Sequence, residues 1–132
     1  MTEAEIRELA ARFFDAYENR RVHDVAKIYA PDCVIWNNVF NSEMTGAENI
    51  EKLPGGYSRQ RRRVYNDRIV NVFEDGFIIQ YTLNGVALSG HKGGLWVCIV
   101  ATCRDGQITR IDEYLDSGKF PAWRGEPAAA RA

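Results

Sequence analysis

Apolar residues recur along this chain at two periods, and the change of period divides it. Ile6, Leu9, Ala10, Phe13 and Tyr17 fall at i, i+3, i+4, i+7 and i+11, one face of a helix. Thr2 and Glu5 stand just ahead of them in capping-box spacing. Val22, Val25, Ala26 and Tyr29 predict a second, shorter helix, which Pro31 stops. Cys33 to Phe40 predicts a strand. Gly46 to Leu53 predicts a short helix ended by Pro54-Gly55-Gly56. Beyond this point the helical period disappears. Residues 62–73 predict a strand, Glu74-Asp75-Gly76 a hairpin turn, and Phe77 to Leu88 a long strand. On that strand Phe77, Ile79, Tyr81 and Leu83 share one face, and Gln80, Thr82 and Asn84 share the other. Ser89 to Gly94 is a Gly-rich turn, Leu95 to Cys103 a strand, and Asp105-Gly106 a turn into the last strand, 107–116. Two helices, a strand, a helix and an antiparallel meander predict an α+β fold with the helices on one face of a curved sheet. Residues 1–126 are expected to form a single domain and 127–132 a flexible tail.

The strand Leu95 to Cys103 is apolar on both faces. Short helices can cover only one face of such a sheet. A second copy of the chain is the simplest cover for the other, which predicts a homodimer through the outer sheet face. The alternative is a central strand covered by the chain's own C-terminal tail.

Charge and composition narrow the partners. A formal net charge of −1 gives no global field that selects nucleic acid or an anionic membrane. No apolar run approaches the ~18 residues of a membrane span. The acidic start, Met1 to Glu5, lacks the apolar region of a signal peptide. Cys33, Cys98 and Cys103 are odd in number and lack metal-type spacing. They read as reduced thiols, which predicts a cytoplasmic protein. Without a Gly-rich phosphate loop or a His/Cys/Asp ligand set, the expectation is no cofactor and no metal.

The order of elements, with Tyr29-Ala30-Pro31-Asp32 before the first strand and Asp105-Gly106-Gln107-Ile108 leading into Glu113-Tyr114-Leu115-Asp116, resembles the nuclear transport factor 2-like superfamily. Within it the chain is most similar to the SnoaL-like group, over residues 3–120. The resemblance implies a cone-shaped half barrel, a curved antiparallel sheet wrapped around N-terminal helices, with a deep apolar pocket. That cone serves isomerases, cyclases, dehydratases, epoxide hydrolases and binding proteins. The ketosteroid isomerase set is not matched. Its helix tyrosine falls on Phe13, its base on Asn37 or Asn38, and its buried aspartate on Cys98 or Ile99. The limonene-type epoxide hydrolase set is matched in part. Its first-strand pair falls on Trp36 and Asn38, its arginine and first aspartate on Gln80 and Thr82, and its second aspartate on Glu113.

Glu113 is the candidate general acid or base. It alternates with Ile111 and Leu115, so all three point the same way. In an apolar cone such a carboxylate is desolvated and its pKa rises toward working pH. Otherwise it is salt-bridged to an arginine or faces solvent at a strand end. Asn38 shares a face with Trp36 and Phe40. It could orient a water or a carbonyl as the second catalytic candidate, or cap a local turn. Gln80 and Thr82 could face the cone as neutral orienters, or form the polar side of a half-exposed strand. Tyr17 could hang its hydroxyl at the pocket mouth or pack in the core. Trp36 and Trp96, with Cys98 on the face of Trp96, are expected to line the cavity. The basic run Arg59 to Arg63 reads either as a clamp for an anion or as a solvated strand edge that discourages edge pairing. His23 and His91 read as exposed, and Asp116 as the cap of a terminal turn. Together these features predict cofactor-free acid/base chemistry on a neutral or weakly polar, hydrophobic, partly cyclic small molecule. The alternative is a ligand-binding protein of the same fold.

Overall fold

The computed structural model describes residues 1–124. The boundary expected at residue 126 and the tail 127–132 lie outside them. Helix α1 (Glu3–Glu18) starts where expected: the Thr2 hydroxyl accepts from the Glu5 N–H, and the Glu5 carboxylate accepts from the Thr2 N–H. Its apolar stripe is buried, with Phe14 set edge-on against Tyr65 and Tyr81. Helix α2 (Val22–Ile28) is followed without a break by strand β1 (Tyr29–Asn37). Tyr29 therefore opens a strand instead of closing a helix, because the residues before Pro31 are pushed out of the helical region.

A short strand β2 (Ser42–Thr45), not marked by any apolar alternation, hairpins back on β1. Helix α3 (Gly46–Ser58) begins with a second capping box, Thr45 and Glu48. It does not end at Leu53: Pro54, Gly55 and Gly56 lie inside it. Tertiary packing overrides the local signal here. One turn later the buried Tyr57 ring sits beneath the guanidinium groups of Arg20 and Arg63, which holds the last turn helical.

Strands β3 (Gln60–Phe73), β4 (Gly76–Ala87), β5 (Lys92–Arg104) and β6 (Gln107–Leu115) form the meander, and α4 (Phe120–Trp123) follows. The sheet order is β2-β1-β6-β5-β4-β3. Neighbours are antiparallel except β1 and β6, which run parallel. Register shifts that place extra residues in β1, β3 and β6 bend the strands around the helices, as bulges do. At the β3–β4 hairpin only glycine fits. A Cβ on Gly76 would sit 1.9 Å from the Ala101 carbonyl oxygen.

The core lies between the helices and the concave face. Phe77, Ile79, Tyr81 and Leu83 point into it, joined by Leu95, Val97, Ile99 and Ala101 from β5. On the convex face Trp96 is 56% and Tyr114 47% exposed. No helix among the described residues is long and apolar enough to cross a membrane. His23 and His91 are exposed as expected, and the Asp116 side chain caps the turn before α4 by accepting from the Gly118 N–H.

Candidate functional site

The core face does not fill at the open end of the cone. There α1, α3 and α4 stand away from the ends of β3, β4, β5 and β6 and leave a cavity of about 560 Å³. Its apolar walls include Tyr17, Leu83, Leu95, Leu115, Phe120 and Trp123, and its polar groups include Glu113 and Arg63. Strand alternation explains the choice. Tyr81 and Leu83 continue the face of Phe77 and Ile79, so the strand face that builds the core also lines the pocket.

Glu113 enters this face from β6, opposite Ile99 of β5 and beside Asn37 of β1. Its backbone is fixed on both sides by strand pairing. Its side chain retains some contact with solvent through the cavity, yet protein surrounds it. Burial pushes its pKa up to about 7, and the positive charge of Arg63 pulls back only in part. No described residue forms a hydrogen bond or ion pair with the carboxylate. Neither the salt bridge nor the solvent-facing strand end applies.

Arg63 comes from the basic run, whose alternation is broken by the register shift between Gln60 and Arg62. Arg61 and Arg62 are exposed, whereas Arg63 turns inward with Tyr65. Arg63 Nε donates to Gln60 Oε1 at 2.7 Å and Nη2 to the Gly56 carbonyl at 2.8 Å. Its guanidinium lies over the rings of Tyr57 and Trp123, 5.0 and 4.8 Å from their centroids. Gln60 is buried and donates from Nε2 to the Trp123 carbonyl at 2.7 Å, so one amide joins β3, α4 and Arg63.

Tyr17 lines the pocket. Its hydroxyl is hydrogen-bonded to that of Tyr29, and both reach Asn49 Oδ1. Burial raises the phenol pKa of Tyr17, Tyr29, Tyr65 and Tyr81, so these hydroxyls stay neutral.

The other expected lining residues are elsewhere. Gln80, Trp96 and Cys98 stand with Tyr114 on the convex face, around a groove of about 410 Å³. Thr82 is on that face too and donates to Asp67 Oδ2. The Trp36 ring packs edge-on against Tyr114, and its Nε1 donates to Asn41 Oδ1. Trp36, Gln80, Thr82, Trp96 and Cys98 are thus separated from Glu113 by the sheet. The expectation put these side chains into one concave cavity with Glu113, but the opposite parity of β4 and β5, that of Leu83 and Leu95, faces the helices and the pocket.

Asn38 is committed to the backbone. Its Nδ2 donates to the Leu115 carbonyl at 3.0 Å and its Oδ1 accepts from the Leu115 N–H at 2.8 Å. The side chain extends the β1–β6 pairing by one step and steadies the strand that carries Glu113. Asn38→Ala should therefore cost about 1–3 kcal/mol in urea denaturation, the range for stranding buried backbone groups. An unchanged midpoint would return Asn38 to the list of substrate orienters.

A further depression of about 550 Å³ lies on the sheet surface among Arg62, Asn66, Asn84 and Lys92, and its lining holds no carboxylate. Among the described residues no group of three or more His, Cys, Asp or Glu stands where it could hold a metal ion. The residues that sequence reasoning missed are Arg63, Tyr65, Tyr81, Leu83, Leu95, Phe120 and Trp123. For Tyr81 and Leu83 the signal was present, since both alternate with Phe77 and Ile79.

Residues 10–111 match the model of the SnoaL-like domain. No curated protein matches the sequence. Among solved structures, AclR of Streptomyces galilaeus is similar with a TM-score of 0.82 at 14% identity, over 98% of this chain and 91% of that one. A protein of Catenulispora acidiphila with a ketosteroid isomerase-like fold gives 0.80 at 16%, over 95% and 98%. An LEH-like epoxide hydrolase of M. tuberculosis gives 0.77 at 20%, over 91% and 90%. At such identities the likeness is one of fold.

Proposed function

This chain belongs to the SnoaL-like domain family, and from that premise and the geometry of its cavity we propose that it is a small-molecule enzyme using cofactor-free acid/base chemistry. Glu113 carries the reading. It is an unpartnered carboxylate in an apolar cavity, held by burial near the pH at which it can both take and return a proton. The proposed reaction begins when the carboxylate removes a proton from a carbon next to a carbonyl, leaving the electron pair on the substrate. It ends when Glu113–H returns that proton at another atom or to a leaving oxygen, so the steps balance without an external acceptor. The pocket phenols Tyr65 and Tyr81, kept neutral by burial, can donate to the oxygen on which charge develops. The apolar walls suit a hydrophobic, partly cyclic substrate.

Native mass spectrometry against lipophilic cyclic metabolites, followed by turnover assays of the binders, tests this reading. At least one binder should be converted by the wild type. Ligands that bind the cavity but are never converted would favour the non-catalytic alternative. One observation already leans that way: Asn38, Gln80 and Thr82 do not reach the cavity to orient a substrate.

The convex face supports a second copy of the chain as partner. Trp96 and Tyr114 are exposed beside Trp36, with Cys98 and Gln80 around a shallow groove. Sedimentation equilibrium at micromolar concentration should give a dimer, and Trp96→Asp should return a monomer. A monomeric wild type would end this assignment.

A further inference from the structure

We propose that the substrate is a hydrophobic organic acid, bound with its anionic group at Arg63 and its apolar body directed inward toward Glu113. The inference rests on the cavity being a ligand site, and it replaces the neutral substrate expected from sequence.

Two observations carry it. The first is how the cavity arginine is satisfied. Arg21, Arg68, Arg104 and Arg110 each pair with a carboxylate near the protein surface. Arg63, half-buried at the cavity wall, does not pair with one among the described residues. Its guanidinium donates to two neutral oxygens, of Gly56 and Gln60, and its faces meet two aromatic rings. These contacts fix the guanidinium in place without cancelling its charge. A held cation without a carboxylate partner gains most from an anion that enters the cavity, and a planar guanidinium suits a carboxylate.

The second observation is the layout of the cavity. Arg63 stands on one wall, on β3, whereas Leu83, Leu95 and Leu115 stand on β4, β5 and β6. A ligand that matches this layout has one charged end and an apolar body. Anchoring the charged end also holds the rings in a single orientation, which acid/base chemistry at a fixed carboxylate requires.

The test needs no knowledge of the natural substrate. Two fluorescent probes share one ring system: 8-anilinonaphthalene-1-sulfonate carries an anionic group and N-phenyl-1-naphthylamine does not. Equilibrium titration of the wild type should show the sulfonate bound more tightly by about tenfold or more, the size of a charge-assisted hydrogen bond. Arg63→Gln should remove that preference while leaving the uncharged probe nearly unaffected, and Arg63→Lys should keep most of it. Trp96→Gln, on the convex face, should change neither titration. Equal affinities in the wild type, or a preference that survives in folded Arg63→Gln, would overturn the proposal and leave the apolar cavity reading standing. Loss of both probes in Trp96→Gln would place them on the convex face and overturn it as well. Failure of the wild type to bind either probe would remove the cavity reading and this proposal together. If circular dichroism shows Arg63→Gln unfolded, the wild-type ratio and Arg63→Lys still decide.

Discussion

Replacing Glu113 with glutamine should make the protein more stable at pH 8 and change its stability little at pH 5. The folded chain holds the Glu113 proton more tightly than the unfolded one, with a pKa of about 7 against an ordinary 4.5. Stability from this group is complete below the lower value and is lost as pH rises through the higher one. At pH 8 the ionised carboxylate therefore costs on the order of 2–3 kcal/mol, allowing for its contact with solvent through the cavity. Glutamine keeps the shape and cannot ionise, so the variant should show a flatter stability profile between pH 5 and pH 8. Thermal melts at both values measure this directly. If Glu113 moves the proton, turnover of any identified substrate should fall about 10²–10⁴-fold, while ligand affinity changes far less. A variant that melts lower than wild type at pH 8 would mean that the carboxylate stabilises the fold through Arg63. Glu113 would then leave the catalytic assignment.

Gln60→Ala should be among the most destabilising single changes near the site. Gln60 is 2% exposed, and its amide satisfies both the Trp123 carbonyl and Arg63 Nε. Alanine strands a buried acceptor and a half-buried charged donor, for about 2–4 kcal/mol in total. It also unties α4 from β3, so the cavity loses the support of Phe120 and Trp123 at its entrance. Urea denaturation should show the loss, and binding of the anionic naphthalene probe should weaken with it. A change within about 0.5 kcal/mol, typical of an unimportant surface site, would mean that Arg63 and α4 are held by other contacts.

The sequence carried the fold further than it carried the site. Where one face is apolar and the other polar, as in α1 and β4, the pattern alone predicts the element and its buried side. The capping pair at Thr2 and Glu5 and the turn at Asp105-Gly106 follow from local chemistry. In β5 both faces are apolar, so alternation separates Trp96 and Cys98 from Leu95 and Val97 without saying which pair faces the helices. Local signals also failed where distant contacts outweighed them, as at Pro54, where burial of Tyr57 keeps the helix going.

By itself the sequence determined an α+β fold, its SnoaL-like resemblance and the candidate carboxylate at Glu113, whose facing it left open. These depend on periodicity and on the apolar residues flanking that glutamate. The tertiary structure alone decided that the pocket shares the helix-covered face, since that depends on how α1, α3 and α4 stand off the strand ends. It also turned Arg63 inward from a basic run that looked solvent-facing, and it assigned Asn38 to the Leu115 backbone. Both outcomes depend on partners 77 residues away in the chain for Asn38 and on Trp123 for Arg63. Such long-range contacts exist only once the sheet has curved and closed over its helices.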